Sequence, residues 1–170
     1  MDATCIRGLY AIADSSFDPC ESLPKLAAKY LAGGCRLVQL RIKTKDARPS
    51  LWNDLAFEAA KEILKLKKSF DFTFIINDYV DVAAELKADG VHVGKNDMSV
   101  GEIRNYVGNR LLIGYSSHSY EEAVAAEKAG ADYVALGAIY PTATKGYGHP
   151  VVGIETLKRV TQTLKVHNKK

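Results

Sequence analysis

The amino-acid sequence predicts a parallel α/β fold, on two observations. Short apolar segments rich in β-branched residues alternate six times with longer segments of helical periodicity. Several of the apolar segments are apolar at consecutive positions, which is typical of strands covered on both faces in a parallel sheet. Alternation of this kind favours right-handed crossovers between neighbouring strands, and it therefore predicts about six βα units.

The elements follow in chain order. The predicted strands are Leu9–Ala13, Leu37–Ile42, Thr73–Ile76, Gly90–Val93, Leu111–Gly114 and Tyr133–Ile139. The predicted helices are Ser22–Ala32, Pro49–Lys67, Val80–Leu86, Ser99–Val107, Ser119–Ala129 and Val152–Leu164. Serines begin three of these helices, and two of them have Glu three positions on, the pattern of a capping box. No Pro/Gly/Ser-rich linker interrupts the sequence, so we expect a single domain over residues 1–170.

Composition excludes several classes of protein. The chain has 170 residues, 47% hydrophobic and 25% charged, which is ordinary for a globular domain. No apolar run approaches the roughly 20 residues of a membrane helix, and the N-terminus lacks a signal-peptide pattern. A net charge of +3 does not indicate nucleic-acid binding. Cys5, Cys20 and Cys35 have no CxxC spacing, which predicts reduced cysteines and a cytoplasmic location.

Polar side chains follow every predicted strand, at the ends where α/β proteins place their sites. They are Asp14 after the first strand; Gln39, Arg41 and Lys43 at the second; Asn77 and Asp78 at the third; His92, Gly94 and Asp97 at the fourth; Ser116, Ser117 and His118 at the fifth; and Thr142, Thr144 and Lys145 after the sixth.

Arg41 and Lys43 are the two of these residues that a purely structural role explains least well. Asn77-Asp78 would form a turn about as often as a site. Arg41 and Lys43 alternate on one face of a central strand, and burying two cations is costly without an anion. Cations, two carboxylates and hydroxyls suit a magnesium-bound polyphosphate, because carboxylate oxygens take the metal and the cations neutralise phosphate oxygens. The pattern therefore predicts a phosphate-handling enzyme.

Seven motifs resemble the thiamine phosphate synthase family, in the same order and at compatible spacings. They are LYAIAD, LVQLRIK, FIINDYVDVA, ADGVHVGKNDM, IGYSSHSYEEA, GADYVALGAIYPTATK and VVGIETL, and they run from about Leu9 to Leu157. The resemblance implies a (β/α)₈ TIM barrel and a transferase that joins hydroxymethylpyrimidine pyrophosphate to thiazole phosphate. The products would be thiamine phosphate and pyrophosphate.

The resemblance also implies roles for individual residues. Gln39 would contact the pyrimidine, and Asp78 and Asp97 would ligate Mg²⁺. The pyrophosphate would be held by Arg41, Lys43, Asn77, Ser116 and Lys145, of which Arg41, Lys43, Ser116 and Lys145 would be catalytic. Thr142 and Thr144 would bind the thiazole phosphate, and Gly153 of the VVGIETL motif is a further substrate-binding candidate. We expect small-molecule substrates and no nucleic-acid or membrane partner.

The sequence departs from the family pattern at two places. Lys95 stands where the family often has Gln, and the chain ends where a seventh strand should begin. The expectation is a barrel truncated to about six βα units: a fragment, a form completed by homo-oligomerisation or swapping, or an inactive relative. Two other functions stay open. One is a thiazole tautomerase, in which His118 would be the acid/base; the other is an inactive ligand-binding fragment.

Overall fold

The computed structural model describes residues 5–16, 22–43, 49–142 and 151–167, without the side chains of 49–51 and 165–167. The chain divides into two compact units. One comprises Met1–His92 with Val107–Leu112, and the other comprises Val93–Tyr106 with Ile113–Lys170. The sequence-based expectation of one domain stays a prediction, so each unit is described by itself.

Six strands alternate with six helices along the described residues, which confirms the predicted α/β architecture. The strands are β1 (Tyr10–Asp14), β2 (Leu37–Arg41), β3 (Thr73–Asn77), β4 (Gly90–Val93), β5 (Leu112–Ser117) and β6 (Tyr133–Leu136). The helices are α1 (Leu23–Ala32), α2 (Pro49–Lys65), α3 (Val80–Glu85), α4 (Val100–Val107), α5 (Tyr120–Lys128) and α6 (Gly153–His167). A short 3₁₀ turn, Leu66–Lys68, follows α2.

All the described strand pairs are parallel. β1 pairs with β2, β2 with β3, β3 with β4, and β5 with β6. The register places Asp14 beside Arg41 and Asn77 beside His92, so polar residues of neighbouring strands meet at the carboxyl ends.

Several strand boundaries in the structure differ from the predicted ones. β5 continues to Ser117, past the predicted end at Gly114, and β6 ends at Leu136, before the predicted end at Ile139. Ser22 occupies the position before α1 but makes no side-chain capping bond. Proline in the first turn presets the backbone angle of α1 without a cap.

β2 and β3 do not alternate apolar with polar residues, because both faces of these strands are buried in the core of the first unit. Leu37, Val38, Leu40 and the apolar residues Phe74–Ile76 of β3 are all essentially inaccessible to solvent, as expected for strands covered on both faces. Gly90 at the start of β4 permits this packing, because a Cβ there would lie 2.6 Å from the Leu112 carbonyl oxygen.

A reciprocal hydrogen-bond clamp holds the amino end of β4 against β3. The backbone N–H of Asp89 donates to the Phe74 carbonyl oxygen over 3.0 Å, and the Phe74 N–H donates to Asp89 Oδ2 over 2.7 Å. The same carboxylate lies 2.5 Å from Lys67 Nζ. Asp89 therefore fixes strand register through backbone groups and is neutralised by one cation.

The second unit repeats this clamp at β6. The Asp132 N–H donates to the Ile113 carbonyl oxygen over 2.7 Å, the Ile113 N–H returns a 2.7 Å bond to Asp132 Oδ2, and Arg104 lies 2.6 Å from that oxygen. The sequence carries the repeat as ADGVHVG at 88–94 and ADYVALG at 131–137. Sequence reasoning used both segments only as family motifs and missed their structural role.

Candidate functional site

Asp14 and Arg41 form an ion pair at the carboxyl ends of β1 and β2. Arg41 NH1 donates to Asp14 Oδ2, while the Ser16 N–H donates to Asp14 Oδ1 over 2.8 Å. Burial raises the pKa of Asp14, but the Ser16 and Arg41 hydrogen bonds outweigh it and hold the pKa below its ordinary value of 3.8. Asp14 is therefore a carboxylate at neutral pH and anchors one end of the guanidinium.

Lys43 reaches the carboxyl end of β3. Its Nζ lies 2.5 Å from Asp78 Oδ2, with 46% of the Lys43 side chain exposed. Two hydrogen bonds of 2.9 Å join the Lys43 backbone to the Ser15 hydroxyl and fix the chain at this point. Arg41 and Lys43, predicted to lie on one face of β2, are thus each held by a carboxylate of a neighbouring strand end.

The backbone at Asp78 is bent into the left-handed region, with φ +68°. Its N–H donates to the His92 carbonyl oxygen, and its carbonyl oxygen accepts from the Val80 N–H, both over 2.9 Å. A non-glycine residue in this conformation is strained and is held by its surroundings. Burial and the Asp78 charge both raise the pKa of the adjacent Tyr79.

Gln39 and Asn77 are buried polar residues of the same unit. Gln39 is 4% exposed and its Nε2 donates to the Tyr10 hydroxyl over 2.9 Å. Asn77 is 7% exposed, next to His92 in the β3–β4 register. Tyr10 was missed by sequence reasoning, because a hydrogen bond across 29 residues leaves no local signal.

The loop after β4, in the second unit, is closed by Asp97. The Gly94 N–H donates to Asp97 Oδ2 over 2.7 Å, and the Asp97 N–H returns to the Gly94 carbonyl oxygen over 3.2 Å. A Cβ on Gly94 would stand 3.4 Å from that carboxylate oxygen. Asp97 itself is exposed, and its Oδ1 has no partner among the described residues.

Glu122 links Lys95 and His118 in the second unit. Its carboxylate accepts the His118 N–H over 2.8 Å and lies 3.3 Å from Lys95 Nζ and 3.6 Å from His118 Nδ1. The His118 hydrogen bond is the main cause that lowers the pKa of Glu122. The sequence predicted Glu122 as part of a capping box. Only half of the box forms, since the Glu122 N–H donates to Ser119 Oγ while its carboxylate turns to His118.

The end of β5 supplies the remaining described candidates. Ser117 is 1% exposed, and Ser116 is half-buried. Burial is the main cause that raises the pKa of the neighbouring Tyr115; the charge of Glu122 adds to the increase and the charge of Lys95 opposes it. Tyr115 was not singled out from the sequence, where it reads as an ordinary strand residue.

The predicted thiazole-phosphate residues are described only in part. Thr142 is exposed, whereas Thr144 and Lys145 lie outside the described residues. Gly153 begins α6 with φ +80°. The N–H of Val152, just before it, donates to the Ala138 carbonyl oxygen over 2.8 Å.

The described residues limit what the site can hold. No group of three or more His, Cys, Asp or Glu side chains is placed to hold a metal ion in that part of the chain. Among the described residues, a metal ion would therefore have at most two of these side chains as ligands. Within the described ranges, no helix has the length and apolar character required to span a bilayer.

Comparison with known families and curated proteins gives one consistent result. A family model described as thiamine monophosphate synthase matches residues 9–167. The thiamine-phosphate synthase of Shouchella clausii is 39% identical over 137 residues, which is 81% of this chain and 63% of that protein. The synthase of Ruminiclostridium cellulolyticum is 35% identical over 158 residues, covering 93% and 72%. The synthase of Nitrosomonas eutropha is 40% identical over 162 residues, covering 94% and 73%.

A solved structure is similar as well. Thiamine phosphate pyrophosphorylase from Pyrococcus furiosus superposes with a TM-score of 0.73 at 32% identity, over 91% of this chain and 69% of that one. Agreement at this level over most of the chain confirms the predicted fold class. The chain spans between 63% and 73% of the length of the three curated relatives named above.

Proposed function

Because the chain belongs to the thiamine monophosphate synthase family, we propose that it joins hydroxymethylpyrimidine pyrophosphate to thiazole phosphate and releases pyrophosphate, forming thiamine phosphate. The observation that carries the proposal is the anchoring of two cations at the carboxyl end of β2. Arg41 is paired with Asp14, and Lys43 with Asp78.

The reaction requires positive charge beside the leaving pyrophosphate, and these two cations would supply it. The bond from the pyrimidine methylene to oxygen breaks, and the pyrophosphate leaves with the electron pair. Donors already aimed at the developing charge lower this barrier, because they need no reorganisation during the reaction. Arg41 is preorganised by the ionised Asp14 carboxylate. Lys43 is 46% exposed and would exchange Asp78 for a phosphate oxygen at small cost, so it adds positive charge there without being preorganised.

The family pattern assigns Asp78, in the first unit, and Asp97, in the second unit, to a magnesium ion. Their hard carboxylate oxygens fit the metal chemically, and Asp97 offers an Oδ1 with no described partner. Magnesium, when bound, would neutralise negative charge on the pyrophosphate.

The other assignments follow the family pattern residue by residue. Gln39, oriented by Tyr10, would bind the pyrimidine, and Asn77 and Ser116 would bind the pyrophosphate together with Lys145. Thr142, Thr144 and Gly153 would bind the thiazole phosphate. The thiazole nitrogen carries its own lone pair and attacks the methylene, so no general base is needed from the chain.

The test is Asp78→Asn. Asparagine keeps the shape and tolerates the left-handed backbone of this position, whereas alanine would strain it. We expect kcat to fall by a factor on the order of 10² or more with an unchanged melting temperature. Asp81→Asn, an exposed carboxylate of α3, is the matched control and should keep full activity. Wild-type turnover in Asp78→Asn would refute the assignment.

One contact favours a second function, a thiazole tautomerase. His118 Nδ1 lies 3.6 Å from Glu122 Oε2, beyond hydrogen-bond distance but close enough for the carboxylate to stabilise the protonated imidazole. The two functions separate on a single preparation assayed for both reactions. His118→Gln should abolish tautomerisation if that reaction is the native one, and should leave thiamine phosphate synthesis within about threefold if it is not.

A further inference from the structure

A large open cavity lies in the first unit, at the amino ends of β1, β2 and β3. Its volume is about 1040 Å³, and it is bounded by the Cys5–Leu9 segment, the loop that joins α1 to β2, and the start of β3. Asp14, Arg41 and Asn77 stand at the opposite ends of these strands. The cavity is therefore separate from the candidate site described above.

The charged lining of this cavity is only partly explained by the fold. Lys67 is neutralised by Asp89 and serves the strand clamp described above. Arg7 and Arg36 also line the cavity and are exposed, and neither guanidinium has a hydrogen-bond or ion-pair partner among the residues that the structure describes. Asp71 is the one further carboxylate in the lining.

A smaller cavity of about 390 Å³ adjoins the first one, sharing Lys67, Asp71 and Phe72, and it adds Lys68. Together the two cavities bring four cations, Arg7, Arg36, Lys67 and Lys68, against the two carboxylates Asp71 and Asp89. The excess is positive. Three of these cations have no partner among the described residues, and two of the three, Arg7 and Arg36, are arginines, whose planar donors match phosphate oxygens.

The uncharged part of the lining indicates what the anion is attached to. Leu9 is 72% exposed and lines the cavity, whereas Phe72, also in the lining, is only 5% exposed. A volume near 1000 Å³ exceeds what inorganic phosphate fills and reaches the upper range of small-molecule pockets. We propose that this cavity binds a phosphorylated small molecule with an aromatic or apolar portion, the phosphate at Arg7 and Arg36 and the apolar portion against Leu9.

Residue-resolved titration tests the proposal on the full chain. The probes are inorganic phosphate and phenyl phosphate, and the readout is the NMR shift of each arginine Nε–Hε signal. We expect saturable shifts at Arg7 and Arg36, with phenyl phosphate binding at least threefold tighter than phosphate. Arg41 reports separately on the opposite strand ends, so occupation of the proposed catalytic site is distinguished by its own signal.

Two charge-matched variants complete the test. Arg36→Gln should weaken phenyl phosphate binding about tenfold, corresponding to the loss of one charge-assisted contact. Lys25→Gln removes an equal charge from α1, outside the cavity, and should leave the affinity unchanged. Non-saturating shifts, equal shifts at Arg110, or equal weakening by both variants would overturn the proposal. None of these results depends on whether Asp78→Asn loses turnover.

Discussion

The carboxylates at the two ends of the strands have different partners. At the amino ends, Asp89 and Asp132 each accept a backbone N–H from the neighbouring strand, and each is neutralised by one cation. At the carboxyl ends, Asp14 and Asp78 pair with the side chains of Arg41 and Lys43. Asp14 also accepts the Ser16 N–H, but that bond lies within its own turn. The first arrangement therefore ties neighbouring strands together, and the second orients cations.

This difference separates stability from function within one fold. A carboxylate bonded to strand N–H groups cannot be released without breaking strand pairing, so it has no freedom to serve a ligand. A carboxylate bonded to a half-exposed lysine exchanges that partner at small cost, because exposed ion pairs contribute about 1 kcal/mol or less. The same residue type is therefore structural at one end of the strands and available for chemistry at the other.

The largest expected effect is a loss of turnover, caused by a change at the carboxyl ends of the strands. Lys43→Gln removes a cation that the fold does not need, and we expect kcat for thiamine phosphate synthesis to fall by a factor on the order of 10². Steady-state kinetics checks this, with the melting temperature as the control for folding. A change confined to KM would show that Lys43 binds substrate without stabilising the leaving group.

The next effect is on stability, at the amino end. Asp89→Ala leaves the Phe74 N–H without its acceptor and Lys67 without its partner, and we expect a loss of roughly 2 kcal/mol in the free energy of unfolding. Urea denaturation measures it, against Asp54→Ala on the exposed face of α2. Asp132→Ala, at the repeated clamp, should cost a similar amount. Equal stability in Asp89→Ala and the control would contradict a structural role.

A smaller effect on stability is expected at the start of α4. Ser99 and Glu102 form both halves of a capping box, through bonds of 3.3 and 3.0 Å. Ser99→Ala should therefore cost about 1 kcal/mol of stability. Ser119→Ala should cost less, because Glu122 has turned away to His118. Thermal unfolding of the two variants ranks them, and the reverse order would show that the half-formed box is the stronger.

The smallest effect concerns acid stability. Since the pKa of Asp14 is lowered in the folded chain, its stabilising contribution is complete above the ordinary value of 3.8. It is lost as the pH falls through the lowered value. Asp14→Asn should therefore flatten the dependence of stability on pH below about 4 and leave its shape near neutrality unchanged. If the free energies of unfolding of Asp14→Asn and the unaltered protein differed by the same amount at every pH, the prediction would be wrong.

Most of the fold was predictable from the sequence because its signals are local. Consecutive apolar residues with helical segments between them predicted all six strands and six helices. The same pattern placed Arg41, Lys43 and Asp78 near strand ends, and their roles in binding and catalysis stay predictions. The resemblance to the thiamine phosphate synthase family is confirmed by the comparisons. The predicted cytoplasmic location and homo-oligomeric completion stay predictions.

What the sequence did not predict depends on contacts between distant residues. Asp89 reaches Phe74 across 15 positions, and Tyr10 reaches Gln39 across 29. Glu122 gave a correct local signal for a helix start, but its carboxylate had a stronger partner in the His118 backbone. In each case the pairing depends on which strand ends meet, and periodicity alone does not determine this.

The most direct test of the division between the two ends is a paired measurement on Asp78→Asn and Asp89→Asn. Both changes replace a carboxylate by its amide with almost no change in volume, so kcat and melting temperature measured on both variants isolate the effect of position. We expect Asp78→Asn to lose turnover at an unchanged melting temperature, and Asp89→Asn to melt lower and keep its kcat. Loss of stability in Asp78→Asn together with loss of turnover in folded Asp89→Asn would contradict it.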